Sequence, residues 1–417
     1  MDQEKPNSTI RVGIVSPFPP HGIKHFYGSG LASYTKNLSF GLSRHIRTII
    51  FADKQKHYPS LNVKGKLTIF RCWDKDLRFF FQLTKSILTK RTDIIHIQHE
   101  YLSFGGLFVG TLFPILLLLL KISSRKVIVT MHGVIGLDKK DVLGLLTGKS
   151  HFFLLQKLGL LIITKIIALF SNFFIVHNHY AKSSLVKNYH IKQEKIFVIP
   201  HGIENLGKMK SSIESKKKLA LEKKKVLLFL GFIAPYKGLE TLLTAFKIIY
   251  DQDSSYVLLI GGGEHPRLKA NPEYQHYISM LKQNVRYMRD DAVRFVGFIP
   301  EGELQLYLSA TDLVIVPHKA AIASSGPLSI AIGSGKLIVA SNIQPFKEII
   351  PIKEVFFLTD SPQDMIKKIK NIIEDSQLQL KIIETMQDIQ QRFSWEKISR
   401  RTEKIYKMSL YKTNHKP

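Results

Sequence analysis

A repeated alternation constrains this chain more than any other feature: short β-branched apolar runs recur, each followed by a segment long enough for a helix. In the first half the runs are residues 11–16, 48–52, 67–71, 93–98, 126–131, 172–177 and 195–200. In the second half they are residues 225–231, 256–261, 293–297, 312–317, 336–341 and 355–359. Most are continuously apolar and do not alternate with polar residues, as expected of strands covered on both faces of a parallel sheet. Strand and helix alternating in two series predict two doubly wound α/β domains. For 417 residues, two domains is the simplest count at roughly 100–200 residues each. The expected division is 1–205 and 206–385. Residues 204–225, with eight lysines, read as a solvated linker holding a short helix, and residues 361–411 have helical spacing and no strand.

Composition narrows the function classes. Hydrophobic residues at 45% and charged residues at 22% fit a folded globular chain and exclude a disordered one. One cysteine, Cys72, excludes an intrachain disulfide and a multi-cysteine zinc site, and suits a reducing cytoplasm. The N-terminal residues lack the apolar region of a signal peptide, so secretion by that route is not expected. The net charge is +27, of which residues 1–205 carry +17 (28 basic, 11 acidic) and the remainder +10. Such a field attracts polyanions: nucleic acid, an anionic membrane surface or phosphorylated substrates. A general lysine bias would give the same sum. No RRM, KH or zinc-finger signature is present, so nucleic acid is not the expected partner.

Two stretches have membrane-like composition. Residues 107–120 contain no charge and end in five leucines, but they include Pro114 and stop at Lys121, short for a span of about 20 residues. Residues 152–176 are strongly apolar but interrupted by Lys157 and Lys165, whose spacing puts both on much the same helical face. That pattern fits a helix lying in a membrane interface, and equally a core helix whose lysines snorkel to water.

In open α/β sheets ligands bind at the carboxyl ends of the strands, and the loops there hold the unusual residues. After the first run come Pro17, Pro19, Pro20, Gly22, Gly28 and Gly30 ahead of a helix with an apolar stripe of Leu31, Tyr34, Leu38 and Leu42. Gly28-x-Gly30-x-x-Ser33, with Asp53 ending the next run, is a partial dinucleotide fingerprint that lacks its third glycine. A loop that lets a phosphate or sugar approach a helix N-terminus explains the glycines better. Glu100 ends the run containing His96 and His99, which an odd spacing places on opposite faces, so they do not chelate one metal. Glu100 could face a ligand or simply water. His132 ends the next run, where an imidazole could bond a sugar hydroxyl or cap the strand; His177, His179 and His201 follow later strand ends. No metal-ligand spacing such as HExxH is present.

The second half carries three phosphate-compatible loops. Gly231 to Gly238 joins a strand to a helix and contains Lys237. Gly261, Gly262 and Gly263 end the next run. Ser324 or Ser325 would cap a helix that starts at Gly326-Pro327-Leu328, leaving amides there for an anion.

The motifs in order, HIQHEY, VTMHG, VIPHGIE, LGFIAPYKGLETLLTAF, VRFVGFIPEGELQLYLSATDLVIVP and SSGPLSIAIGSGKLIVAS, resemble those of the retaining glycosyltransferases of family 4 over nearly the whole chain. The resemblance implies the GT-B fold, two Rossmann-like doubly wound domains facing a cleft, with residues 386–417 crossing back to the first domain. It implies that the second domain binds a nucleotide diphosphate sugar, UDP- or GDP-linked, and that the first binds the acceptor. No obligatory metal or cofactor is implied. Two positions depart from the family pattern. Phe232 stands where an arginine usually follows the glycine, and Ile322 and Ile330 fall where two glutamates are usual.

The expected activity is therefore transfer of a hexose, with retention, to a glycan or lipid-linked acceptor in cell-surface polysaccharide or glycolipid synthesis. Lys237, Gly30, Gly231, Gly262 and the amides of Ser325, Gly326 and Leu328 are expected around the diphosphate. His132 is expected at the donor sugar and Glu100 on the acceptor side. The location expected is cytoplasmic, on the inner membrane face. A catalytically inactive GT-B binding protein and a GT-B sugar-nucleotide epimerase are the alternatives.

Overall fold

A computed structural model describes residues 9–20, 30–101, 104, 107–123, 125–138, 153–265, 268–286, 288, 291–320 and 325–411. They form two compact units. One comprises the described residues up to Gly202 and from Trp395 onward; the other comprises those from Ile203 to Ser394.

The first unit is built on an eight-stranded sheet: β1 (Ile10–Val15), β2 (Ile46–Asp53), β3 (Leu61–Lys64), β4 (Leu67–Trp73), β5 (Ile94–His99), β6 (Lys126–Met131), β7 (Phe173–Val176) and β8 (Ile196–Val198), in the order β3-β4-β2-β1-β5-β6-β7-β8. Every pair is parallel except β3 with β4. Each expected run overlaps a strand, with ends that differ by one or two residues, and β3 is the addition. It is short and mostly exposed, and it pairs with β4 through the turn at Gly65, whose φ of +57° suits a two-residue hairpin loop. The sheet is flanked by α1 (Gly30–Gly41), α2 (Phe79–Thr89), α3 (Leu107–Ile122), α4 (Phe153–Phe170) and α5 (His179–Lys187). Ile14, Ile50, Ile95, Ile97, Val127 and Val129 are wholly buried, so the central strands lie between helical layers.

The second unit has a six-stranded, all-parallel sheet: β9 (Lys225–Leu230), β10 (Tyr256–Gly261), β11 (Val293–Gly297), β12 (Leu313–Val316), β13 (Leu337–Ser341) and β14 (Phe356–Phe357), in the order β11-β10-β9-β12-β13-β14. This is the strand order of a dinucleotide-binding double-wound sheet. Its helices are α6 (Ser212–Lys218), α7 (Leu239–Gln252), α8 (Pro272–Val285), α9 (Glu301–Ala310), α10 (Gly326–Ser334), α11 (Gln344–Lys347), α12 (Pro362–Glu374) and α13 (Ser376–Arg392). The lysine-rich stretch before β9 is not simply solvated: Lys216 Nζ donates to Asp312 at 2.7 Å and to the Lys224 carbonyl at 2.8 Å, which pins α6 to the sheet.

The last helix, α14 (Trp395–Tyr411), belongs to the first unit and packs on α1. Ser399 Oγ donates to the Leu38 carbonyl at 3.0 Å. Tyr406, wholly buried, reaches from α14 to β5. The whole of α13 stays with the second unit, and the chain re-enters the first at Trp395.

Candidate functional site

Strand order reverses between β9 and β12, so the carboxyl ends of these strands are where a double-wound sheet accepts a ligand. Backbone contacts tie the loops there together. Gly231 N–H donates to the Gly261 carbonyl at 2.9 Å, and Ile233 N–H to that of Gly263 at 3.0 Å. A Cβ on Gly262 would lie 1.8 Å from the Gly231 oxygen, so this position excludes every side chain. Gly238 has a φ of +67°, and a Cβ there would lie 2.0 Å from the Pro317 oxygen. The loops after β9, β10 and β12 therefore meet backbone to backbone. Gly231 also sits against Pro327, in the first turn of α10.

Lys237 is buried at this junction. Its Nζ lies 3.2 Å from His318 Nε2 and 5.1 Å from the centre of the Tyr236 ring. It forms no ion pair among the described residues. Burial lowers its pKa from the ordinary 10.5 to about 7. Burial and the charge of Lys237 hold His318 well below its ordinary value, so the imidazole accepts from the ammonium. Lys319 makes the contrast plain. It has two carboxylates, Glu240 at 2.7 Å and Asp360 at 3.1 Å, which offset its partial burial.

Ser325 caps α10. Its Oγ accepts from the Leu328 N–H at 3.3 Å. The amide of Leu328, expected at an anion, is thus already engaged by the cap, while that of Gly326 makes no hydrogen bond among the described residues. Ser324 lies outside the described residues, as does Ile322.

The first unit places His132 at the carboxyl end of β6 within a buried hydrogen-bonded chain. Tyr406 Oη is 2.7 Å from His96 Nδ1, and His96 Nε2 is 2.7 Å from Thr130 Oγ1 and 3.2 Å from the Gln98 amide. The other end of that amide is 2.8 Å from His132 Nε2. His132 Nδ1 is 3.3 Å from His177 Nε2, and His177 Nδ1 is 3.0 Å from the Ile199 carbonyl. The Ile199 oxygen only accepts, and this sets the direction of the whole chain. His177 Nδ1–H donates to Ile199, His132 Nδ1–H to His177, the Gln98 amide nitrogen to His132, His96 Nε2–H to the Gln98 oxygen and Thr130, and Tyr406 O–H to His96. The direction assigns each neutral tautomer and turns the Gln98 amide so that its nitrogen faces His132. Burial keeps the rings neutral: His96 and His177 are lowered to about 3, His99 and His201 to about 4, and His132 well below its ordinary value. Tyr34 of α1 stands edge-on to His132, with ring centres 4.5 Å apart, and also abuts His201 and Trp395.

Of the residues expected from the sequence, Gly231, Lys237, Gly262, Ser325 and Gly326 are gathered in the second unit. His132 sits in the first with both ring nitrogens partnered. Glu100 follows β5 directly and is half-buried. Gly30 opens α1, exposed, with free space where a Cβ would stand; Gly22 and Gly28 lie outside the described residues. Asp53 gives the dinucleotide reading, already set aside, no support. Its carboxylate is buried, accepts from the Phe18 N–H at 3.2 Å and pairs with Lys75 at 3.1 Å, so it anchors the β1 loop and does not await a ribose. The residues that sequence reasoning missed are His318, Gln98, Tyr34 and Tyr406. Two had a signal: His318 directly follows the strand end marked by Pro317, and Gln98 is two residues from His96 on one strand face.

Comparison with known proteins bears on both units. The family described as Glycosyltransferase Family 4 matches residues 28–205, and that described as Glycosyl transferases group 1 matches residues 211–388. The D-inositol 3-phosphate glycosyltransferase of Corynebacterium glutamicum is 24% identical over 242 residues, which is 55% of this chain and 56% of that one. The chain spans a little over half the length of this curated relative. Among solved structures, sucrose-phosphate synthase from Thermosynechococcus elongatus superimposes with a TM-score of 0.74 at 17% identity, over 96% of this chain and 98% of that one. Anabaena Alr3699/HepE in complex with UDP and glucose gives a TM-score of 0.70 at 16% identity, over 96% and 100%.

Proposed function

The chain belongs to glycosyltransferase family 4 and has the GT-B fold, and from that premise we propose that it transfers a hexose from a nucleotide diphosphate sugar to a glycan or lipid-linked acceptor. The observation that carries this reading is Lys237, a buried ammonium with no carboxylate partner among the described residues, at the strand-order reversal of the second unit. A diphosphate supplies the missing counter-charge. Binding it raises the lysine pKa, so that the ammonium is fully protonated in the complex at neutral pH. When the glycosidic bond to the diphosphate breaks, the leaving oxygen gains negative charge. An ammonium fixed beside it interacts more strongly with that state than with the intact donor, which is the differential stabilisation that accelerates transfer. The Gly326 amide, at the first turn of α10, supplies a second donor.

The acceptor is assigned to the first unit. The stereochemical outcome proposed is retention, and the location is the cytoplasmic side of a membrane, in surface polysaccharide or glycolipid synthesis. For His132 to bond a sugar it must release either Gln98 or His177, since each nitrogen is engaged.

Phe232, where an arginine is usual, and Ile330, where a glutamate is usual, favour one second reading: a binding protein of the same fold without transfer activity. Thermal shift against UDP-, GDP- and ADP-sugars, followed by nucleotide release with donor and acceptor together, separates the two. Stabilisation by one donor, lost in Lys237→Ala, with release of free nucleotide supports the transferase. Stabilisation without release supports the binding protein, and no stabilisation by any donor rejects the site.

A further inference from the structure

The helix α4 is inside out. Its exposed stripe, Leu155, Leu158, Ile162, Lys165 and Leu169, advances by three and four residues along one face, and Leu154 extends it. The four leucines and one isoleucine of that stripe are 47–76% exposed, and only 17% of the helix is buried. Two uncharged polar groups point the other way. Thr164, fully buried, lies 3.0 Å through its Oγ1 from Tyr101 Oη, and the side-chain oxygen of Gln156 is also buried. A helix folded for water reverses this arrangement.

The neighbouring helices repeat the pattern. α3 packs on α4 and exposes Ile115, Leu118 and Ile122 beside Lys121. α2 packs on α3 and exposes Phe81 and Leu88 with Lys85 between them. No aspartate or glutamate occurs in any of the three helices, whereas four lysines do.

We propose that this helical layer is a docking surface for an anionic lipid bilayer, with α4 lying in the plane of the interface. Two features select the lipid. The apolar stripe calls for a hydrocarbon environment, and cations without acids call for a negatively charged partner; a second copy of the same face would bring lysine against lysine. Two features exclude spanning, although the eighteen residues of α4 would reach about 27 Å. Leu160, Thr164 and Ile167 are buried, Leu160 and Ile167 in the same apolar core as Ile97 of β5 and Val129 of β6. Lys165 sits within the exposed stripe, where its charge holds the helix at headgroup depth. This surface stands independently of the donor assignment.

The test is co-sedimentation of the full chain with vesicles of phosphatidylcholine alone and of phosphatidylcholine with about a third phosphatidylglycerol, at low and high salt. Binding to the mixed vesicles, weakened by salt, is expected. The double variant Leu158→Glu, Ile162→Glu changes only exposed positions and is expected to lower binding at least about tenfold. Ile213→Glu, at an exposed position on α6 of the second unit, is expected to bind as the parent does. Leu158→Trp is expected to shift its fluorescence to the blue on adding mixed vesicles. UDP-glucose thermal shift on the same variants reports the donor site separately. No binding by the parent chain, or full binding by the double glutamate variant, overturns the proposal. So does a concentration-dependent dimer that the glutamates dissolve.

Discussion

Replacing Lys237 with methionine should stabilise the free protein while abolishing donor binding, and the stability gain should vanish at alkaline pH. The fall of the ammonium pKa from 10.5 to about 7 means that holding the charged group out of water costs about 5 kcal/mol, at 1.36 kcal/mol per pH unit. Methionine fills much the same volume without the charge. Against this gain stand the lost hydrogen bond to His318, about 1 kcal/mol, and the lost contact with the Tyr236 ring, about 1 kcal/mol. The net expectation near pH 6 is a stabilisation of about 3 kcal/mol. The folded-state pKa is depressed, so the penalty on the parent chain is full below about pH 7 and disappears as pH rises to 10.5. By pH 9 the penalty has fallen by between 2 and 3 kcal/mol, roughly, and the two proteins should be about equally stable. Denaturant unfolding of both at pH 6 and pH 9 measures this directly, since titrating groups that do not feel Lys237 cancel in the difference. A methionine variant less stable than the parent at pH 6, or a gain that does not shrink at pH 9, refutes the reasoning. In either case Lys237 would not be an uncompensated charge waiting for an anion.

Other consequences are sharp enough to measure. Gly262→Ala places a methyl 1.8 Å from the Gly231 oxygen; a loss of about 2–3 kcal/mol and of donor binding is expected, by unfolding and thermal shift. Tyr406→Phe leaves His96 Nδ1 buried without its donor and should cost about 1–3 kcal/mol, read from the unfolding midpoint. The imidazoles of His96, His132, His177 and His201 should show no titration between pH 5 and 8 by NMR. Their folded-state values are depressed, so the stability they contribute is complete above about pH 6.5. It is lost as pH falls toward 3–4, by about 1.4 kcal/mol per pH unit for each ring; an acid-insensitive unfolding midpoint would contradict this.

The strands were legible because their burial is extreme. Val226 to Phe229 and Val257 to Ile260 are apolar without a break, and nothing but a strand covered on both faces needs that. β3 was not, because Leu61-Asn-Val-Lys64 is short, mostly exposed and apolar only at alternate positions. The lysine of the candidate site could be read from its place between Gly231 and Gly238, since glycines beside a cation at a helix start have few other uses. Its partner His318 is 81 residues away and becomes adjacent only because β12 pairs with β9, an order no local pattern encodes. The same holds for Tyr406, whose bond to His96 spans 310 residues. The histidines at the strand ends were visible one by one, but not the single directed chain they form. That direction depends on the Ile199 carbonyl and on an amide contributed by Gln98. The outward leucines of α4 were visible as composition alone. Whether its lysine edge faced water or core required the sheet beneath it.

The central claim is that Lys237 receives the diphosphate of a sugar donor, and proton uptake on binding tests it most directly. A nucleotide sugar has no group of its own titrating near neutrality, so titration calorimetry of UDP-glucose and GDP-mannose at pH 7, in buffers of different ionisation enthalpy, counts protons taken up by the protein. With a free-state pKa of about 7, the account expects uptake of about half a proton on binding by the parent chain, and neither donor binding nor uptake by Lys237→Ala. Binding by the parent chain without proton uptake, or binding by the alanine variant with the same uptake, would contradict it.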